Sequence, residues 1–188
     1  MLLEVGLVFG TLSTFLPLRV VAAAVDFSPG WFYTAAAISS FTVRLSIAKW
    51  SDRLGRGVFV TVALCFYVLA MLGLSQAAQS WHFWLCGFTE GIAGGIFIPA
   101  TIVILADRTQ PNERATVIGW AWMGFDLGIA LAGPLAGSLA QTIGLPRVFL
   151  AAAGLAAIAL ISFLTLSTAT VRSSVRFALG QGQDSYAL

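Results

Sequence analysis

Charged residues, prolines and turn-forming clusters divide this chain into six long apolar runs, at about 3–24, 29–50, 57–76, 81–106, 114–141 and 146–170. The breaks fall at Asp26-Phe27-Ser28-Pro29-Gly30, at Ser51-Asp52-Arg53-Leu54-Gly55-Arg56, between Ser75 and Ser80, between Asp107 and Arg114, and at Gly144-Leu145-Pro146-Arg147. Each is charged or a turn-type cluster. About 20 apolar residues cross a bilayer core of roughly 30 Å, so every run is a predicted transmembrane helix. The pattern predicts an all-α membrane protein: a six-transmembrane-helix bundle over residues 1–170, then a polar, glycine-containing tail over 171–188 whose composition reads as disordered. The opening Met1-Leu2-Leu3-Glu4 has no basic region and no small-residue cleavage site follows, so the first run reads as a retained helix.

Composition agrees with the pattern and narrows it. Of the 188 residues, 59% are hydrophobic and 10% charged, with a mean hydropathy of +0.91. A soluble domain needs more surface charge than that, and six spans leave no room for one. The net charge of +2 is scattered along the chain, which leaves no footprint for nucleic acid. Cys65 and Cys86 lie inside apolar runs without a CxxC pattern, as small buried hydrophobes do. With one histidine, no GxSxG element and no metal-ligand pair, neither an enzyme nor a metal or other cofactor is expected.

Placement of the basic residues gives an orientation. If the helices alternate direction, one side collects Lys49, Arg53, Arg56, Arg108, Arg114, Arg172 and Arg176, and the other holds Arg19 and Arg147. Positive residues favour the cytoplasm, so both ends, the 51–56 loop and the 107–113 loop are expected inside, and Trp31, Trp81 and Trp84 near the outer interface. A plasma membrane, the bacterial inner membrane, is the expected setting.

Two cytoplasmic segments carry recognisable motifs. Ala48-Lys49-Trp50-Ser51-Asp52-Arg53-Leu54-Gly55-Arg56-Gly57 is a tight basic turn between two apolar helices. It resembles the signature loop of the major facilitator superfamily, with the Asp-Arg-x-Gly-Arg core intact, Ala48 in place of the family's first glycine and Gly57 in place of its last basic residue. Gly55 suits the positive φ of a short reversal, and the arginines anchor the loop at the headgroups. Arginines placed for topology alone would look similar.

Two helices later, Asp107-Arg108-Thr109-Gln110-Pro111-Asn112-Glu113-Arg114-Ala115 is followed by Gly119, Gly124, Gly128, Gly133-Pro134 and Gly137. This resembles the family's Asp…Pro…Arg loop running into the glycine- and proline-rich helix of its antiporters. Gly124/Gly128 and Gly133/Gly137 are i,i+4 pairs suited to close helix contact, and Pro134 with Gly133 marks a point of flexing; packing alone accounts for the glycines equally well. The run Phe9-Gly10-Thr11-Leu12-Ser13-Thr14-Phe15-Leu16-Pro17-Leu18 and the pair Val43-Arg44 resemble the seventh and eighth helices of a twelve-helix member. The resemblance implies a carboxy-terminal half built of two three-helix repeats, transporting small molecules by alternating access with a second six-helix bundle from the missing half, a separate chain or another copy. It also implies a cytoplasmic gate formed by Asp52, Arg53, Gly55, Arg56, Asp107 and Arg114.

Ionisable residues in mid-span cost at least about 2.5–3.5 kcal/mol and so normally face a cavity or a partner. Three qualify: Asp126, close to the middle of the fifth run on a face with Trp122 and Ala130; Glu90, about ten residues into the fourth with Gly87 and Gly94; and Arg44, one helical row from Ser40. Each acid is a candidate proton-coupling or substrate-binding group, and Arg44 a candidate anion contact; an Asp126–Arg44 ion pair that fixes packing explains the same residues. His82 reads as interfacial. The alternative to a transporter is a non-transporting membrane scaffold or a truncated fragment.

Overall fold

The structure is a computed structural model that describes residues 1–47, 55–182, 184 and 186–187. Among these are seven helices and no strand: α1 (Leu2–Ala22), α2 (Pro29–Ile47), α3 (Arg56–Gln76), α4 (Ser80–Asp107), α5 (Arg114–Ile143), α6 (Leu145–Leu166) and α7 (Val171–Ala178). Five of them, α1, α3, α4, α5 and α6, are long and apolar enough to cross a membrane. The 19-residue α2 is not among the five, because Thr34, Ser39, Ser40, Thr42, Arg44 and Ser46 dilute its apolar character. The last part of the run predicted there, residues 48–50, lies outside the described residues.

The helix boundaries follow from local chemistry. Pro29 opens α2, where its missing N–H costs nothing. Gln79 and His82 form a capping box at the start of α4, with His82 Nδ1 accepting from the backbone N–H groups of Ala78 and Gln79 at 3.1 and 3.2 Å. Gly144, at φ +79°, turns α5 directly into α6.

The helices pair in an order that connectivity does not suggest. α1 lies against α5 and α6, α4 against α2 and α3, and α3 against α6. Exchanging α1, α2 and α3 for α4, α5 and α6, in that order, leaves these pairings unchanged. Lipid tails are as apolar as leucine, so such contacts depend on close van der Waals approach. Both crossings achieve it with glycines four residues apart: Gly6 and Gly10 of α1 rest on the α5 backbone at Phe125 and Ile129, while Gly87, Gly91 and Gly95 of α4 rest on α2 at Phe32, Ala36 and Ser40.

The glycines of α5 behave differently from the expected i,i+4 pairs. Gly128 is pressed against Leu3, Gly6 and Leu7, and Gly137 touches the Phe15 ring at 3.6 Å, but Gly124 and Gly133 meet nothing within 4 Å. The buried stripe of α5 is Gly128, Ala132 and Ala136. Gly124 lies one turn further along that stripe, past the contact with Leu3, and Gly133 falls one residue off it.

Two features brace the bundle at its ends. Arg19 of α1 is 5% exposed, and its guanidinium donates to the carbonyl oxygens of Leu74, Ser75 and Ala77 at 3.0, 3.3 and 2.7 Å, capping the last turn of α3. At the other end, where composition suggests disorder, Val171–Ala178 form the amphipathic α7. Thr170 and Ser173 cap it, Phe177 packs 6.1 Å from Phe163, and its Ala178 carbonyl accepts from Thr61 at 3.0 Å. Its few apolar residues fall on one face, a periodicity that a polar average conceals.

Candidate functional site

A cavity of about 280 Å³ opens among the helices that carry the paired glycines. Phe9 of α1, Ser40 and Arg44 of α2, Tyr67 of α3, Glu90 of α4 and Phe125 of α5 contribute to its wall. The Glu90–Gly91–Gly94 face of α4 is turned inward because Gly87, Gly91 and Gly95 fix α4 against α2. Glu90 is 7% exposed. Opposite it, Tyr67 is 3% exposed, with its ring edge-on to Phe97 at 6.0 Å. A side chain at position 94 would come within 3.3 Å of the Tyr67 hydroxyl and 3.8 Å of Glu90 Oε1, so Gly94 leaves the space between them open.

Of the three mid-span ionisable residues, the structure brings two together. Glu90 and Arg44 share the cavity, Arg44 from the exposed rim. Asp126 stands apart, exposed on α5 beside Leu127 and Met123, and among the described residues it makes no ion pair with Arg44. Its neighbour Phe125 takes the inward position instead, because the buried stripe through Gly128 and Ala132 turns residue 126 outward.

At the end of the bundle carrying the two basic loops, Arg56 and Asp107 form an ion pair. Gly55 has φ +81°, in the left-handed region that favours glycine. Arg114 is exposed and donates to the Thr109 carbonyl at 3.3 Å, within its own loop. Asp52 and Arg53 lie outside the described residues. Arg108, the residue after Asp107, donates to Asp184 Oδ2 at 2.7 Å and to the Ser167 carbonyl at 2.8 Å, with the Phe177 and Tyr186 rings 5.5 and 5.4 Å from its guanidinium carbon. A family model described as Major Facilitator Superfamily matches residues 3–182, which includes the cavity, both loops and α7.

The chain belongs to the major facilitator superfamily.

Among relatives within this superfamily, the chain is similar to "Uncharacterized MFS-type transporter YhhS" of Salmonella enteritidis, 30% identical over 160 residues that cover 81% of this chain and 38% of the relative. The protein of the same name in Escherichia coli K12 is 29% identical over 160 residues, with the same coverage of 81% and 38%. "Multidrug resistance protein 2" of Bacillus subtilis is 24% identical over 160 residues, 85% of this chain and 39% of the relative. The chain thus spans 38–39% of the length of these curated relatives. Superfamily membership and the apolar helices make it a multi-pass membrane protein.

Sequence reasoning missed Tyr67, Arg108 and Arg19. Tyr67 was signalled by its place alone: a phenol in the middle of the apolar run 57–76 needs a polar neighbour. Arg108 and Arg19 find their partners 76 and 55–58 residues away along the chain, which no local pattern announces.

Proposed function

We propose that the chain is one six-helix bundle, built of two three-helix repeats, of a major facilitator transporter, and that it moves small molecules across a bacterial inner membrane by alternating access with a second six-helix bundle. The observation that carries the reading is the burial of Glu90 in a cavity it shares with Tyr67 and Arg44. A carboxyl group in that setting exists either as a neutral acid beside a phenol or as a carboxylate facing a guanidinium, and exchange between the two is what proton coupling requires. The same cavity joins polar groups to the aromatic walls of Phe9 and Phe125, the mixture typical of a small-molecule site. Exposed Asp126, with Trp120 and Met123 on the surface of α5, supports a role for that helix against the second bundle. The Arg56–Asp107 pair supports a gate at the cytoplasmic end, and Gly133 before Pro134 supports flexing of α5, since Pro134 has no N–H to give the carbonyl four residues earlier.

The test is proton-driven flux in vesicles that contain the chain together with its second bundle. Glu90→Gln, which keeps the shape and removes the exchangeable proton, abolishes flux driven by a pH gradient while downhill exchange of substrate continues. Full gradient-driven flux in Glu90→Gln would refute the coupling role, and absence of any flux from the intact assembly would favour a scaffold.

A further inference from the structure

A second cavity, of about 240 Å³, lies beyond the first toward the end of the bundle that carries Arg56 and Asp107. Val60 of α3, Thr101, Leu105 and Arg108 of α4, and Phe163 and Ser167 at the end of α6 contribute to its wall. Thr101 and Ser167 are 4% and 8% exposed, and among the described residues neither Thr101 Oγ1 nor Ser167 Oγ has a hydrogen-bond partner. For Thr101 this is a departure from habit. Thr34, Thr42, Thr61, Thr89 and Thr165 each donate to the carbonyl four residues earlier, at 2.7–3.1 Å. Burying a hydroxyl without a hydrogen-bond partner is costly, and two of them on one cavity wall call for an occupant able to hydrogen-bond.

The two cavities share a stripe of α4. At 100° per residue, Glu90, Gly94, Ile98, Thr101, Leu105 and Arg108 fall within one narrow arc of the helix, the first three lining the inner cavity and the last three the outer. Ile98 and Thr101 are adjacent on that stripe. Pro99, which has no N–H to give the Gly95 carbonyl, interrupts the helix ladder between these two residues, on the side of α4 turned away from the stripe. A volume of 240 Å³ admits several waters at about 30 Å³ each.

We propose that the outer cavity is a hydrated antechamber through which protons reach Glu90 from the cytoplasmic end, with the Thr101 hydroxyl as the relay nearest the inner cavity. The inference rests on the proton-coupling role of Glu90. The groups facing Glu90 are Tyr67 from α3 and Arg44 and Tyr33 from α2, while α1 and α5 present Phe9 and Phe125. None of Tyr67, Arg44 and Tyr33 lies on the wall of the outer cavity, and of the polar residues that do, Thr101 is the one nearest Glu90 along α4.

The test uses the full chain in nanodiscs and infrared detection of the Glu90 carboxylic-acid band, identified by its loss in Glu90→Gln. On transfer to heavy water, Thr101→Val, which keeps the shape and removes the hydroxyl, slows exchange of that band at least about tenfold, equivalent to about 1.4 kcal/mol on the barrier. An exchange rate equal to that of the unaltered chain would overturn the relay. If no Glu90 acid band exists at any physiological pH, the proton-coupling reading falls, and the relay with it. The antechamber is tested separately by Thr101→Cys in a chain with Cys65→Ser and Cys86→Ser: alkylation by a charged, water-soluble thiol reagent supports hydration, and protection from it in the folded chain refutes it.

Discussion

Replacing Gly87 with alanine tests whether glycine contact, rather than sequence composition, holds α2 to α4. A Cβ at position 87 would stand 2.7 Å from the Phe32 carbonyl oxygen and 3.2 Å from the Ala35 Cβ. Ordinary van der Waals contact begins near 3.4 Å, so the carbonyl, part of the α2 backbone, must retreat by about 0.7 Å. Overpacking of this kind costs about 1–3 kcal/mol, against a gain of about 0.8–1.0 kcal/mol from replacing glycine by alanine within a helix. Gly124→Ala isolates the second term, because nothing stands within 4 Å of that position. The expected result is a destabilised Gly87→Ala and a stabilised Gly124→Ala, separated by about 1–3 kcal/mol once the shared propensity gain cancels. Reversible unfolding in mixed micelles, followed by tryptophan fluorescence, measures both. Equal shifts in the two variants would refute the reasoning, since propensity alone would then account for them. Gly91→Ala extends the series: its Cβ would overlap both the Ala36 carbonyl and Ser39 Oγ, so its loss should exceed that of Gly87→Ala.

The two braces give further predictions. Arg19→Met strips the Leu74, Ser75 and Ala77 carbonyls of a charged donor whose individual hydrogen bonds are worth about 1.5–3 kcal/mol, so amide exchange around residues 77–80 should accelerate; unchanged exchange would mean that the cap is dispensable. Arg108→Ala removes the Asp184 pair and both ring contacts, and should expose α7 to trypsin at Arg172 and Arg176; cleavage no faster than in the unaltered chain would show that α7 is held without Arg108, by contacts such as those of Phe177, Thr61 and the buried Ser174.

Much of the helical architecture was legible because hydrocarbon imposes a single length scale and hydrogen-bonding rule on every span. Helix α2 was the least certain span by composition, and its hydroxyls and arginine are what a cavity wall requires. The exchange symmetry of the packing was not legible, because it resides in which faces meet; the Gly-x-x-x-Gly spacing shared by Gly6/Gly10 of α1 and Gly87/Gly91 of α4 does not by itself say which helix each pair rests on. In the candidate site the acids were visible as rare charges in apolar runs, but their relative standing was not. Asp126 was nearer mid-span, yet a rotation of one residue about α5 decides between cavity and surface, and that rotation is set by the stripe Gly128, Ala132 and Ala136. The two motif-bearing segments supply Arg56 and Asp107, which form an ion pair; the tail that closes over Arg108 carried no motif.

The cap made by Arg19 has a consequence for how the protein is made. Synthesis delivers α1 before α3, and the carbonyls that receive the guanidinium lie 55–58 residues downstream. Until they arrive, Arg19, three residues from the end of the first helix, can direct its guanidinium to the membrane surface along its own aliphatic stem. The three hydrogen bonds that pin the end of α1 to the end of α3 can therefore form only once Leu74, Ser75 and Ala77 have been made. The brace between the first and third helices is thus among the later contacts of the bundle to close.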